Sequence, residues 1–205
     1  MISAEEALRR LREGNQRFAA DSDQQRIDHI TEMRRRELVR GQEPFAIIFG
    51  CSDSRVPAEI IFDQGLGDLF VIRVAGNVVA PSLVGSVEFA AEKFGTRLVV
   101  VLGHSDCGAV TATLEELAQP VKERSPNLRS IVDRIRPSVE TLMETDLQHN
   151  PDELLKYAVR ANIRASASQL RHASPILEEL IEEDGLRIIG AEYSLESGLV
   201  DFFDN

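Results

Sequence analysis

The chain has 205 residues, a length typical of one globular domain with a substantial core. Its 23 basic and 34 acidic residues give a net charge of −11, which disfavours binding to nucleic-acid phosphates, because such binding depends on lysine and arginine. No secretory signal opens the sequence, and no apolar run approaches the roughly 18 residues of a membrane span. We therefore expect a cytoplasmic protein, or the mature form of a targeted one, that binds neither nucleic acid nor membrane.

The first 41 residues predict helices. Ser3 and Glu6 form a capping box, and the residues that follow are apolar at helical spacing: Ala4, Leu8, Leu11 and Phe18. A second helix is predicted over about 26–40, ended by Gly41. Its cluster Arg34-Arg35-Arg36 is interpreted as a solvated helix face rather than a nucleic-acid patch.

The next segment alternates apolar runs with helical patterns. The runs 45–49, 69–74 and 98–102 are short and continuously apolar, as in strands buried on both faces. Between them, Pro57 starts a predicted helix that stops near Gly65, and 82–94 is amphipathic. The order strand-helix-strand-helix-strand with short connections favours an open parallel sheet.

The remainder is predicted as mostly helical over 107–184, followed by a strand pair at 186–193 and 198–203. Asn150-Pro151 is a typical helix start. We find no repeat and no linker. The prediction is a single α/β domain over 1–205, with an open, mainly parallel β-sheet, flanking helices, an N-terminal helical arm (1–41) and a C-terminal strand pair.

Three residues indicate a metal site: Cys51, His104 and Cys107. The first two come just past predicted strands, where ligands collect in open parallel sheets, and Cys107 opens the next helix. Two thiols and an imidazole suit Zn²⁺, and three protein ligands leave a fourth position where water becomes hydroxide. The other histidines (His29, His149 and His172) are interpreted as surface residues. A disulfide is possible by count, but each cysteine has potential functional groups beside it.

Asp53 and Arg55 follow Cys51 closely enough to face the same way. One interpretation is a local surface ion pair of little energetic value. In the other, Arg55 holds the Asp53 carboxylate off the metal, so that it accepts a hydrogen bond from the metal-bound hydroxide and positions it. If the pair breaks, Asp53 becomes a fourth ligand and the position for water is lost.

Two other classes of function remain open. A zinc-stabilised, non-catalytic interaction domain predicts a fourth protein ligand and no need for Asp53 and Arg55. A redox protein that uses Cys51 and Cys107 predicts no tightly bound metal.

The combined pattern, Cys51-x-Asp53-x-Arg55 with His104-x-x-Cys107, resembles that of the β-class carbonic anhydrases. The resemblance is densest over 44–110 and extends to the stretch from Leu11 to Phe18 and to the closing GAEYSLESGLVDFF. It implies one zinc ion per chain on Cys51, His104 and Cys107, with Asp53 and Arg55 as the catalytic dyad. It also implies reversible hydration of CO₂ to bicarbonate by zinc-bound hydroxide, in a homodimer that is often paired further as a dimer of dimers, with the active site at the dimer interface and the arm packed on the partner.

The resemblance also assigns substrate-binding positions. Gln42 would hydrogen-bond the substrate, Phe70, Ala75 and Phe89 would line an apolar pocket, and Gly108 would offer a backbone amide. The glutamine and Phe70 would reach in from the partner subunit.

Three positions depart from the patterns of some family members. Ala75 and Phe89 stand where some members have valine and tyrosine. The missing tyrosine hydroxyl removes one candidate group from the proton path, and the smaller Ala75 keeps hydrolysis of COS or CS₂ open as an alternative activity. Ile48 stands where members with an aspartate-closed zinc site have tryptophan. This difference favours the open form of the site.

Overall fold

The computed structural model describes residues 2–20, 32–119 and 125–203. Its centre is a five-stranded sheet with the strand order β2-β1-β3-β4-β5. The strands are β1 (Ala46–Cys51), β2 (Leu69–Val74), β3 (Leu98–His104), β4 (Arg187–Tyr193) and β5 (Val200–Phe203). The first four are mutually parallel, and β5 pairs antiparallel with β4. The predicted α/β fold with a C-terminal strand pair is therefore confirmed.

Helices cover both faces of this sheet. Their bounds are α1 (Ala4–Ala19), α2 (Glu32–Glu37), α3 (Ala58–Ile61), α4 (Pro81–Lys93), α5 (Gly108–Ala118), α6 (Pro126–Val139), α7 (Pro151–Arg171) and α8 (Pro175–Glu183). Short 3₁₀ helices span Leu38–Arg40, Ala75–Asn77, Glu140–Glu144 and Asp146–His149. The predicted caps form, since Ser3 accepts from the Glu6 amide and Asn150 from the Glu153 amide.

Side chains of β1 and β3 enter two separate cores because successive residues of a strand point to opposite faces. One face packs with α4 to α8 and contains Ile47, Phe49, Val99 and Val101. The other packs with α1 and α3 and contains Ala46, Ile48, Leu98, Val100 and Leu102. Every residue of both strands is buried, which explains why their sequences are continuously apolar.

The parallel strands end together at one edge of the sheet. Cys51 pairs with Val74, and His104 pairs with Tyr193. The segments that follow β1, β2 and β3 therefore all leave from this carboxyl edge. Cys51 and His104 are the last residues of their strands, because β1 and β3 each continue two residues beyond the predicted ends at 49 and 102.

The described parts of the first 41 residues differ in burial. α1 buries Ala4, Leu8 and Leu11 in the core of its own chain, and the Asn15 side chain donates to the Ile61 and Gly198 carbonyls. In contrast, α2 has no buried residue, and Met33 and Val39 are 70% and 84% exposed.

Two helix predictions need correction. The helix predicted from Pro57 to about Gly65 is a single turn, Ala58–Ile61, because the chain bends at Asp63, which has a positive φ of 47°. Of the helix predicted over 26–40, residues 32–37 are α-helical and 38–40 are 3₁₀, while 26–31 lie outside the described residues. Of the helices described, none is both long and apolar enough to cross a bilayer.

Candidate metal centre

The carboxyl edge of the sheet brings three potential ligands together. Cys51 ends β1, His104 ends β3, and Cys107 caps the N-terminus of α5. Their ligand atoms all lie within 4.8 Å of one another, and all three residues are buried. With Zn–S bonds of about 2.3 Å and Zn–N bonds of about 2.0 Å, this spacing fits one ion. Within the described ranges, no other set of histidine, cysteine and acidic side chains meets the spacing of a metal site.

The His104 ring is oriented for metal binding. Its Nδ1 lies 2.8 Å from the Ser105 carbonyl oxygen, an arrangement that places the proton on Nδ1 and leaves the lone pair on Nε2. Nε2 is fully buried and has no hydrogen-bond partner among the described groups. A buried ring nitrogen without such a partner, beside two thiols, is the arrangement that a metal ion would satisfy.

Ser105 is itself fixed by the strand next to it. Its amide donates to the Tyr193 carbonyl, and its hydroxyl accepts from the Leu195 amide. Two hydrogen bonds of Ser105 therefore fix the position of the carbonyl that orients His104.

The neighbouring Cys51 and Cys107 thiols shift each other's pKa in opposite directions. Hydrogen bonding to the Cys107 thiol lowers the pKa of Cys51 to about 4, and the Gly76 amide donates to the same sulfur at 3.4 Å. The same thiol pair and burial raise the pKa of Cys107. Burial disfavours a charged imidazole, but the neighbouring Cys51 sulfur, the Ser105 carbonyl and the Asp53 carboxylate outweigh it and raise the pKa of His104. A divalent cation would replace these protons and neutralise the buried thiolates.

Asp53 is paired with Arg55, as both interpretations of the sequence expect. Arg55 donates from Nε to Oδ1 at 2.9 Å and from Nη2 to Oδ2 at 2.8 Å, and its backbone amide donates to Oδ1 at 3.0 Å. Hydrogen bonding from this guanidinium holds the pKa of the Asp53 carboxyl well below its usual range. Oδ2 lies 3.8 Å from His104 Nε2, so the carboxylate faces the metal centre while it remains bound to Arg55.

Three further hydrogen bonds hold the loop that follows β1. Arg73, on β2, donates to the Cys51 carbonyl at 2.9 Å and to the Asp53 carbonyl at 2.5 Å. Arg55 also donates to the Asp106 carbonyl at 3.2 Å, and Asp106 has a positive φ of 54°. The loop after β1 is thus connected to both neighbouring strands.

The five predicted substrate-binding residues fall into two groups. Ala75 follows β2 directly and Gly108 is the first residue of α5, so both lie beside the metal ligands. Space is open around the Cα of Gly108, where an added Cβ would meet nothing within 4 Å.

The other three lie toward the amino edge of the sheet. Gln42 precedes β1 and lines a cavity of about 680 Å³ with Phe45 and Phe94. Phe70 pairs with Ile47 near the start of β1 and contacts Phe89, with ring centroids 6.2 Å apart. A six-residue strand spans roughly 17 Å, so one chain does not bring Gln42 and Phe70 to its own metal centre.

Sequence reasoning missed several residues that shape the site: Ser105, Gly76, Asn162, Arg73 and Asp106. Arg73 had a signal, since a charged residue interrupts an otherwise apolar strand. The others act through backbone groups or from a distant helix, and a single sequence carries no mark of such contacts.

Comparison with known proteins agrees with this geometry. The family model described as "Carbonic anhydrase" matches residues 46–200. "Carbonic anhydrase 2" of Mycobacterium tuberculosis is 40% identical over 195 residues, covering 94% of this chain and 89% of that protein. The carbonic anhydrase of Mycolicibacterium smegmatis is 38% identical, covering 95% and 91%.

Solved structures show the same fold. The β-carbonic anhydrase CcaA superposes with a TM-score of 0.77 at 27% identity, covering 96% of this chain and 95% of that one. The β-carbonic anhydrase CafA of Aspergillus fumigatus gives 0.75 at 28% identity, covering 93% and 87%. With a metal-ligand set, a matching family model and relatives of this similarity, the chain belongs to the β-carbonic anhydrase family.

Proposed function

We propose that this chain catalyses the zinc-dependent, reversible hydration of CO₂ to bicarbonate and a proton, with one zinc ion per chain on Cys51, His104 and Cys107. The observation that carries the proposal is the buried ligand set with a carboxylate beside it that is already bound elsewhere. Three ligands leave a coordination position free, and the Asp53–Arg55 pair keeps Asp53 from filling it. A structural zinc site requires neither an open coordination position nor a carboxylate held beside the metal.

When bound, zinc supplies a Lewis acid that activates water near neutral pH. The protein groups have their own tasks. The Asp53 carboxylate faces the centre as an acceptor and orients the attacking water, while Arg55 keeps the carboxylate ionised and in place. Gly108 is the first residue of α5, where a backbone amide has no partner within the helix, and this amide stabilises negative charge on the product oxygen.

The apolar pocket is proposed to form between two copies of the chain. β2 lies at the edge of the sheet, with Phe70 at one end and the segment leading to Ala75 at the other. Under a two-fold axis, antiparallel apposition of two such edges brings Phe70 of one copy toward the metal centre of the other. Phe89 is 51% exposed beside Phe70 and is available to such an interface.

The exposed helix α2 supports the same assembly. Met33, on α2, and Val39, just after it, are largely exposed among the described residues, which fits a segment that packs on a partner. A dimer of dimers is also proposed, because one solved relative of the same fold is described as a tetrameric β-carbonic anhydrase. Cytoplasmic location stays a prediction.

The test measures zinc content together with CO₂ hydration by stopped flow at alkaline pH. We expect stoichiometric zinc and rapid hydration in the wild type. Asp53→Asn should retain zinc and lose hydration activity by at least about 100-fold, because the amide cannot accept and orient in the same way. Asp201→Asn is the matched control, since Asp201 is also paired with an arginine, Arg160, but lies on β5.

Two results would contradict the proposal. Full zinc without hydration would favour a structural metal site. Faster hydrolysis of COS than hydration of CO₂ would assign the alternative substrate, in line with the small Ala75.

A further inference from the structure

A chain of two hydrogen bonds joins helix α7 to a metal-ligand sulfur. The Asn162 side chain donates from Nδ2 to the Gly76 carbonyl oxygen at 2.9 Å, and the Gly76 amide donates to Cys51 Sγ at 3.4 Å. Asn162 is only 2% exposed and comes from an element far along the sequence. Its side chain therefore reaches the metal centre through one intervening residue.

Gly76 occupies a conformation that needs such support. Its φ of 68° and ψ of 20° lie in the left-handed region, and Asn77 follows with a φ of 45°. A Cβ on Gly76 would lie 2.8 Å from Ile135 Cδ1 and 3.0 Å from Ala109 Cβ. The two peptide groups that flank Gly76 are thus fixed on opposite sides, one by Asn162 and the other by the Cys51 sulfur.

A hydrogen-bond donor to a thiolate changes how much electron density the sulfur donates to a bound metal. An N–H group directed at sulfur withdraws charge from it, so the sulfur donates less electron density to the metal. This effect depends on the direction of the N–H bond, because hydrogen bonds weaken steeply when they are bent.

We propose that Asn162 is a positioning residue that holds the Gly76 amide on the Cys51 sulfur and thereby sets how strongly this thiolate donates to the bound metal. The proposal rests on the metal site proposed above. It adds a residue from α7 that touches neither the substrate nor the ligand itself.

The hydrogen bonds can be tested first in the wild-type protein. After loading with ¹¹³Cd²⁺, we expect an NMR correlation between the metal and the Gly76 amide proton, carried through the N–H···S bond. We also expect a trans-hydrogen-bond coupling between the Asn162 side-chain nitrogen and the Gly76 carbonyl carbon. If cadmium binds stoichiometrically but neither signal is seen, the role of Asn162 is refuted while the metal site stands. If the protein binds none of cadmium, cobalt and zinc, both the metal site and the role of Asn162 are refuted.

Variants then test the positioning role. Asn162→Leu removes the donor at similar volume, and Asn162→Asp replaces it with an acceptor facing the Gly76 carbonyl. With Co²⁺ bound at full stoichiometry, we expect the thiolate-to-cobalt charge-transfer band to move to longer wavelength in both, and the Gly76 correlation in the cadmium form to weaken or vanish. Ser166→Ala, another buried residue one turn further along α7, should leave both signals unchanged.

A purely structural role for Asn162 predicts something else. In that case folded variants would lose stability while the charge-transfer band and the Gly76 correlation stayed as in the wild type, and that result would refute the proposal. If Asn162→Leu does not fold, Asn162→Asp supplies the same comparison. If neither folds, absence of the Asn162–Gly76 coupling in the wild type is decisive.

Discussion

At the carboxyl edge of the sheet, one chain assembles a complete ligand set, whereas at the amino edge the predicted substrate-binding residues lie on the surface. Cys51, His104 and Cys107 are buried and mutually close. Gln42 and Phe89 are exposed, and Phe70 lies at the far end of the same strand pair. In our proposal, metal binding therefore needs one folded chain, and enclosure of the substrate needs two.

The physical basis of this difference is the length of a strand. Parallel strands gather their carboxyl ends at one edge, so residues distant in sequence meet there. A residue at the other edge is separated by the whole strand and can contribute only from another copy. Substitutions at the carboxyl edge and at the amino edge should therefore have different effects.

Cys107→Ser tests the carboxyl edge. We expect loss of zinc and of hydration activity to background, because hydroxyl is a poor replacement for thiolate as a zinc ligand. Metal analysis and stopped flow measure the two effects. Removal of zinc from the wild type by a chelator and its restoration provide the control, and an active, zinc-free variant would contradict the account.

Gln42→Ala and Phe70→Ala test the amino edge. Both should retain stoichiometric zinc and reduce kcat/KM for CO₂ by about 10- to 100-fold, since they alter substrate positioning rather than the metal. Glu43→Gln, at an exposed neighbour of Gln42, should have wild-type kinetics. Loss of zinc in either test variant would show that the two edges are not independent.

Arg73→Met tests the loop that carries Asp53. Arg73 binds the Cys51 and Asp53 carbonyls, so its loss should loosen the dyad and lower kcat by about 10-fold with zinc retained. Arg97→Met is matched, because Arg97 also binds two backbone carbonyls but lies near the amino edge. Equal effects of the two substitutions on kcat would show that Arg73 has no specific role in positioning the Asp53 loop.

Asn15→Ala tests whether α1 belongs to the core of its own chain. The Asn15 side chain donates to two carbonyls and accepts from the Val200 amide, all buried or half-buried. We expect the free energy of unfolding to fall by about 2–3 kcal/mol in denaturant titrations, with kcat per zinc unchanged. Gln16→Ala, at an exposed neighbour, should be neutral.

The sequence alone was sufficient to predict the sheet and the three side chains that meet at the candidate metal centre. Continuous apolar runs marked β1 and β3, and ligands at strand ends follow from the topology of parallel sheets. The Asp53–Arg55 pair could also be predicted from the sequence, because only one residue separates the two side chains. Helix limits near Pro57 and in 26–40 were less accurate, since a positive φ at Asp63 and a change from α to 3₁₀ geometry depend on tertiary context.

Contacts made by backbone groups could not be predicted from the sequence. Ser105 orients His104 through a carbonyl, Gly76 reaches Cys51 through an amide, and Asn162 acts through that same glycine. In the sequence, Asn162 is one of many polar residues in an amphipathic helix. Its position relative to Gly76 becomes visible only when α7 is packed on the sheet.

The central claim is that each active site takes its metal ligands from one copy and Gln42 and Phe70 from another. Complementation tests it most directly, by refolding together an inactive Cys107→Ser chain and a chain carrying Gln42→Ala and Phe70→Ala. Mixed dimers then contain one site with every residue intact, so hydration should recover to about a quarter of the wild-type rate. Mixed dimers that form but show no more activity than the separate variants would contradict the claim.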